Sequence, residues 1–391
     1  MSDRPGLLFY CQHSVGLGHL VRSFALARAL SDRFRVVLLC GGELPPAPAP
    51  PAGVEVVQLP PLGVNGNGEF GSHDSGRTVE DARAVRRRMI LAAFRSLRPE
   101  AIVIELFPFG RAKFASELLP LLEEARAHPQ RPLVACSLRD ILVARRADQD
   151  AYDERACALA NRWFDAVLVH SDPRLVRLED SFGKRGRLRV PVHYTGFVRP
   201  AAGLRPLRRE PRIVVSAGGG RVGEPLLAAA VAAHERLFRE TGLRTTAIAG
   251  PFLPEDAWRR LSGAAEAREA IDLVRCVPDL GAELHTAAAS VSQCGYNTAI
   301  ELLGARVPAL VVPFSTPEED EQMARARRLE ALGALRVLEP ERLDGDTLAA
   351  EVRALLEFRP ALPALDLDGA AGATRVMSEL LETAGEEAAA R

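Results

Sequence analysis

The chain has 391 residues, 47% of them hydrophobic, and 50 Lys and Arg balance 51 Asp and Glu to a net charge of -1. That length exceeds one typical core and predicts two domains, and the missing basic excess excludes a nucleic-acid-binding protein. Cys11, Cys40, Cys136, Cys157, Cys276 and Cys294 form no C-x-x-C pair, no cleavable signal opens the chain, and no apolar run approaches membrane-spanning length. A reduced, cytoplasmic setting is expected, with peripheral membrane contact still compatible.

Apolar runs alternate with helical patterns from the start. Strands are predicted at Leu7–Cys11, Val36–Cys40, Val54–Leu59, Ala101–Glu105, Leu133–Ser137, Ala166–His170 and Val190–Thr195. Helices such as Leu20–Leu30, Thr78–Leu97 and Lys113–Ala127 lie between them. This is the β-α-β rhythm of a parallel sheet covered on both faces. A Pro/Gly-rich segment at residues 196–206 breaks it, and a second series follows: Arg212–Ser216, Arg244–Ala249, Asp272–Cys276, Ala288–Ser292, Ala309–Val312 and Leu335–Leu338. The expected organisation is a first domain over 1–198, a linker over 199–210 and a second domain over 211–368. An Ala/Glu-rich helix over 369–391 would then cross back to the first domain.

Ligands of doubly wound sheets bind outside the carboxyl ends of the strands. After the first strand, His13-Ser-Val-Gly-Leu-Gly-His19 leads into an amphipathic helix. Gly16 and Gly18 let a ligand approach the backbone, and a helix start favours the neutral form of His19. The same residues read equally as a plain strand–helix turn with a capping histidine. Glu105 and Asp140 each end or follow an apolar run, where a carboxylate can assist deprotonation or serve as a structural cap. The polar loop Gly63–Arg77 has the composition of an acceptor-binding lid or a surface loop. Arg83, Arg86, Arg87 and Arg88 read as a solvated helix face or as a patch for an anionic lipid. The triplets Asp148-Gln-Asp150, Asp344-Gly-Asp346 and Asp366-Leu-Asp368 follow no nucleotide-binding strand, and no metal or other cofactor is expected.

The second series opens on Gly218-Gly219-Gly220, a turn that invites a phosphate or sugar to the main chain. Asp279 suits a helix N-cap. In Gln293-Cys-Gly-Tyr-Asn-Thr-Ala-Ile-Glu301, a strand meets Gly295 and a helix begins at once. The open helix end, over Gly295, Asn297 and Thr298, presents N–H groups and the positive dipole end to a diphosphate. Glu301, one turn on, can accept hydrogen bonds from a ribose diol.

That segment resembles the His-Cys-Gly-Trp-Asn-Ser-x-x-Glu signature of nucleotide-sugar-dependent glycosyltransferases, with Gln293 in place of the His. Its continuation through Pro308, Pro313-Phe314, Glu321-Gln322 and Ala331-Leu-Gly333 is similar to the MurG-like transferases. The resemblance implies an α/β chain of GT-B architecture, two doubly wound Rossmann-like domains facing across a cleft. It implies an inverting, metal-independent transfer from a UDP- or dTDP-sugar to a small-molecule or lipid-linked acceptor. His19 would be the base, Cys276-Val277 would hold the nucleobase through the main chain, and Glu321-Gln322 would grip the sugar. A nucleotide-sugar hydrolase, a 2-epimerase and a non-catalytic sugar-nucleotide sensor are the alternatives on the same scaffold.

Overall fold

A computed structural model describes residues 4–13, 18–44, 48–64, 69–74, 76–142, 147–199, 208–317, 319–361 and 364–389. The chain divides into two units, Met1–Val198 with Asp366–Arg391, and Arg199–Leu365.

In the first unit, β1 (Gly6–Cys11), α1 (Gly18–Leu30), β2 (Arg35–Cys40), β3 (Glu55–Gln58), β4 (Leu62–Val64) and β5 (Phe70–Ser72) come first. Then follow α2 (Val79–Leu97), β6 (Ala101–Glu105), α3 (Ala115–Ala127), β7 (Leu133–Leu138), α4 (Gln149–Trp163), β8 (Ala166–Val169) and β9 (Val192–Tyr194). Seven strands form a parallel sheet in the order β3-β2-β1-β6-β7-β8-β9. Alternation sends successive side chains of β1 to opposite faces. Leu8 and Tyr10 join the core under α2 and α3, while Leu7, Phe9 and Cys11 join the core under α1. The strands read as continuous apolar runs for this reason, since both faces are covered.

In the second unit, β10 (Glu210–Ser216), α5 (Glu224–Thr241), β11 (Arg244–Ile248), α6 (Glu255–Glu266), β12 (Ile271–Val274) and α7 (Leu280–Thr286) lead into the signature segment. After them come β13 (Ala287–Ser292), α8 (Tyr296–Ala305), β14 (Ala309–Val311), α9 (Glu321–Ala331), β15 (Arg336–Val337) and α10 (Gly345–Leu356). The sheet is parallel, ordered β12-β11-β10-β13-β14-β15. Two doubly wound α/β sheets are thus present, as the β-α-β rhythm predicts. Strand order reverses between β1 and β6 in one sheet and between β10 and β13 in the other. Those reversals are the places where such sheets bind ligands.

The last helix, α11 (Gly369–Ala389), belongs to the first unit. Ala373, Val376 and Met377 enter the core with Phe24 and Leu30 of α1. The chain leaves and re-enters the first unit at an isolated antiparallel bridge: Val198 pairs with Asp368, and Phe197 N–H donates to the Asp366 carbonyl at 2.8 Å. Asp172 accepts the Asp366 N–H at 2.8 Å from below. A Cβ at Gly369 would lie 2.2 Å from the Gly196 carbonyl oxygen, so only glycine lets α11 start there.

Two readings from sequence change. The Gly63–Arg77 stretch contains an antiparallel hairpin, with Leu62 to Val64 paired to Phe70 to Ser72. Residues 65–68 and 75 lie outside the described residues. The Arg83–Arg88 cluster is not one surface patch. Arg86 is fully buried, with Arg87 and Arg88 exposed. Its Nε and Nη2 donate to Glu117 at 2.8 and 2.6 Å, Nη2 also reaches Gln12 at 2.7 Å, and Nη1 donates to the Gly41 carbonyl at 2.6 Å. The Tyr10 hydroxyl donates to the same carboxylate at 2.5 Å. A guanidinium whose hydrogens are shared between α3 and the ends of β1 and β2 is a tie within the unit.

Candidate functional site

The first group of residues gathers at the carboxyl ends of β1 and β6. Gly18 opens α1 and His19 is its second residue; Gly16 lies outside the described residues. His19 Nδ1 is 2.6 Å from Glu105 Oε1, although 86 residues separate the two in sequence. Arg22 Nη2 donates to the same oxygen at 2.6 Å and stands 3.3 Å from His19 Nδ1. Glu105 is fully buried and Arg22 nearly so, whereas the His19 side chain keeps 16% exposure. Histidine, carboxylate and guanidinium therefore form one chain, open to solvent only at the imidazole.

Burial alone pushes the Glu105 carboxyl up, but His19, Arg22 and Arg111 together outweigh it and hold the group ionised. Burial drives the His19 imidazole well below its usual range; Glu105 opposes this, while Arg111 and Arg22 reinforce it. The pair thus rests at neutral pH as a carboxylate beside an uncharged ring. A neutral histidine that donates Nδ1–H to a carboxylate presents a lone pair at Nε2, the form required of a base. Behind the pair, fully buried His170 bridges Ser137 Oγ and Thr195 Oγ1 at 2.8 Å each.

Asp140 takes a different place. It is buried and accepts the N–H of Ile141 at 2.8 Å. The carboxylate beside His19 is Glu105.

In the second unit the predicted donor residues converge on the ends of β10, β11, β12 and β13. Gln293 N–H donates to the Ser216 carbonyl at 3.3 Å, and Gln293 Nε2 donates to the Val222 carbonyl at 3.2 Å. The turn at Gly218, Gly219 and Gly220 therefore lies against the signature segment. It packs equally closely on the β11 exit, where Phe252 N–H donates to the Gly219 carbonyl at 2.9 Å. A Cβ on Gly250 would sit 2.4 Å from the Gly218 carbonyl oxygen, and Gly250 has φ +85°. Gly250 is thus as necessary to this turn as the three glycines that sequence picks out.

Gly295 is the N-cap of α8, with φ -61° and ψ 157° and no side-chain cap. Thr298 is buried and Asn297 half-buried in the first turn. Gln322 Oε1 accepts N–H groups from Cys294 at 3.0 Å and Phe314 at 3.2 Å. Its carbonyl end clamps the exits of β13 and β14 together. Glu321, the first residue of α9, is half-buried. Fully buried Arg325 donates to the Cys294 carbonyl at 2.7 Å, with its guanidinium over the Tyr296 ring. Sequence reading passed over Arg325; its one available signal is the helical spacing of three from Gln322.

Cys276 is exposed and Val277 half-buried at the β12 exit, and Asp279 caps α7 by accepting the Ala282 N–H at 3.1 Å. Half-buried Glu301 projects from α8 in a setting that pushes its carboxyl up to about 8, through burial first and the charge of Asp279 second. A carboxyl group held protonated in this way ionises more readily beside any ligand that brings hydrogen-bond donors to it.

Asp150 and Asp148 pair with Lys184 and Arg155, and Asp344 caps α10 through Thr347 N–H. Among the described residues no three His, Cys, Asp or Glu side chains are grouped to hold a metal ion. Nor is any helix among them long and apolar enough to cross a membrane.

Comparison with known proteins places this geometry. Residues 214–375 match the family model for the glycosyltransferase family 28 C-terminal domain. An 85-residue stretch is 35% identical to the UDP-N-acetylglucosamine--N-acetylmuramyl-(pentapeptide) pyrophosphoryl-undecaprenol N-acetylglucosamine transferase of Anaeromyxobacter sp. (strain Fw109-5). That stretch spans 22% of this chain and 22% of the relative. Two solved structures align over nearly the whole chain. The calicheamicin glycosyltransferase CalG4 gives a TM-score of 0.59 at 18% identity, covering 98% of this chain and 96% of its own. MurG of Acinetobacter baumannii gives 0.57 at 15% identity, covering 96% and 100%. Residues 214–375 thus match a glycosyltransferase family 28 C-terminal domain, and the chain as a whole is similar to MurG in fold, the GT-B fold.

Proposed function

We propose that the protein is an inverting, metal-independent glycosyltransferase that moves a sugar from a nucleoside-diphosphate sugar, UDP- or dTDP-linked, to an acceptor hydroxyl. The observation that carries this reading is the union in one chain of a match to the family 28 C-terminal domain with a histidine backed by a buried carboxylate, His19 on Glu105. His19 Nε2 takes the proton of the acceptor hydroxyl. The freed oxygen bonds to the anomeric carbon from the face opposite the leaving group, and the anomeric C–O bond breaks with its electron pair going to the diphosphate. N–H groups of the first turn of α8 meet that charge where it develops. Gly218 to Gly220 admit the phosphates to the main chain, Glu301 accepts from the ribose hydroxyls, and the β12 exit at Cys276 and Val277 holds the base. Glu321 and the amide end of Gln322 face the sugar.

The curated relative's acceptor is a pyrophosphoryl-undecaprenol; for this chain the acceptor class is a small-molecule or lipid-linked hydroxyl compound. Purified protein given UDP- and dTDP-sugars should release nucleoside diphosphate only when a competent acceptor is added, and proton NMR of the product should show an inverted anomeric centre. Equal release in water alone would instead identify a nucleotide-sugar hydrolase. Activity should survive EDTA, and its full loss there would overturn the metal-free mechanism.

A further inference from the structure

We infer that Arg22 fixes the protonation state and the tautomer of the His19–Glu105 pair, acting as a positioning residue for the base. The inference rests on the role given to His19 above. Glu105 Oε1 receives two partners at 2.6 Å, His19 Nδ1 and Arg22 Nη2, while Oε2, equally buried, has no hydrogen-bond partner among the described residues. Arg22 stands one turn after His19 on α1, so one helix delivers both the base and the cation to a carboxylate from β6.

Charge accounting shows why the cation matters. Arg22, Glu105 and a neutral His19 sum to zero inside the unit. Without Arg22 the buried pair would keep its negative charge with only Arg111, which donates no hydrogen bond to it, to offset it, and uptake of a proton relieves it. That proton has two places to go. On the imidazole it gives an imidazolium with no lone pair at Nε2. On Glu105 it makes the acid the donor to Nδ1, which leaves the ring hydrogen on Nε2. Both outcomes remove the base at neutral pH.

The other charged and titratable groups around the pair do not replace Arg22. Arg111, on the loop after β6, makes no hydrogen bond to Glu105, although its charge also favours the ionised form. Cys11 of β1, with its thiol pushed above the usual range chiefly by burial, stays uncharged. His13 Nε2–H donates to the Glu43 carbonyl at 2.8 Å, and His170 is engaged by Ser137 and Thr195.

The test uses the full chain with ¹⁵N-labelled histidine. In the wild type, His19 should show the Nδ1–H tautomer at pH 7; an Nε2–H tautomer overturns the inference with no variant needed. Arg22→Met should lose that tautomer and lower kcat at pH 7 about 100-fold, the usual scale for a base. It should also move the acid limb of the pH–rate profile up into the neutral range, with the donor KM unchanged within about threefold, since nothing in the donor turn is touched. Arg22→Lys, which keeps a cation, should restore the tautomer and the wild-type acid limb. A Met variant with the wild-type tautomer and pH profile, or a Lys variant as shifted as Met, overturns the proposal. If the wild type turns over no nucleotide sugar, the functional reading fails on its own, and the tautomers still decide the role of Arg22.

Discussion

The two units hold their sites by opposite means. The first relies on buried charge: Arg22, Glu105 and His19 in one chain, Arg86 and Glu117 in another. The second relies on main chain: a glycine turn, an uncapped helix end, N–H groups held by Gln322 and a carbonyl held by Arg325. Under the proposed transfer, the difference follows the chemistry asked of each. A proton-transfer group needs a defined protonation state, which burial and charged neighbours set together. A diphosphate needs many weak donors already in place, which backbone supplies without side-chain entropy.

The contrast would break most visibly at Arg86. Arg86→Met leaves Glu117 buried without its cation, and about 3–5 kcal/mol of stability should be lost in denaturant titration. Nucleotide affinity should not change in the refolded protein. If stability holds, buried charge is not what organises the first unit.

Next in size is the base itself. His19→Ala should lower turnover by roughly 100-fold or more while calorimetry shows nucleotide affinity within a factor of a few. A variant with normal turnover would end the assignment of the pair, and Asp140 would be the next residue to replace.

The second unit is tested by Glu301→Ala, expected to cost about 1–3 kcal/mol of nucleotide binding. Unchanged affinity for the preferred nucleotide would show that the pocket is misplaced. The smallest effect concerns pH. Because the folded carboxyl titrates near 8, the native chain retains a proton that the unfolded chain has lost at all pH values between its ordinary value and 8. Stability is therefore drawn down as pH rises through that window. Glu301→Gln should match the wild type in melting temperature at pH 4.5 and exceed it by a few degrees at pH 9; an equal gap at both would dismiss the titration.

The same contrast explains what could be read from sequence. Glu301, Gly295 and Gly218–Gly220 lie in contiguous motifs because backbone sites are built from local turns, so their composition betrays them. The parallel strands were readable for a like reason, each being a local apolar run. The first unit's site joins residues 86 apart, and the β-α-β pattern alone does not say that β6 lies beside β1. Glu105 and Asp140 therefore looked alike as candidates. Arg22 carries a trace in its helical spacing from His19, and Arg325 in its spacing from Gln322, but a solvated arginine shows the same trace. Gly250 was missed because its need arises from a neighbouring loop.

The bridge between Val198 and Asp368 makes the second unit a detachable piece. Both ends of the second unit depart from a single point, so residues 199–365 amount to an insertion within a parent α/β domain whose closing helix is α11. An insert with adjacent ends can be exchanged whole without disturbing its host. Exchange of residues 199–365 as one block is therefore expected to leave the first unit's sheet and its α11 contact intact.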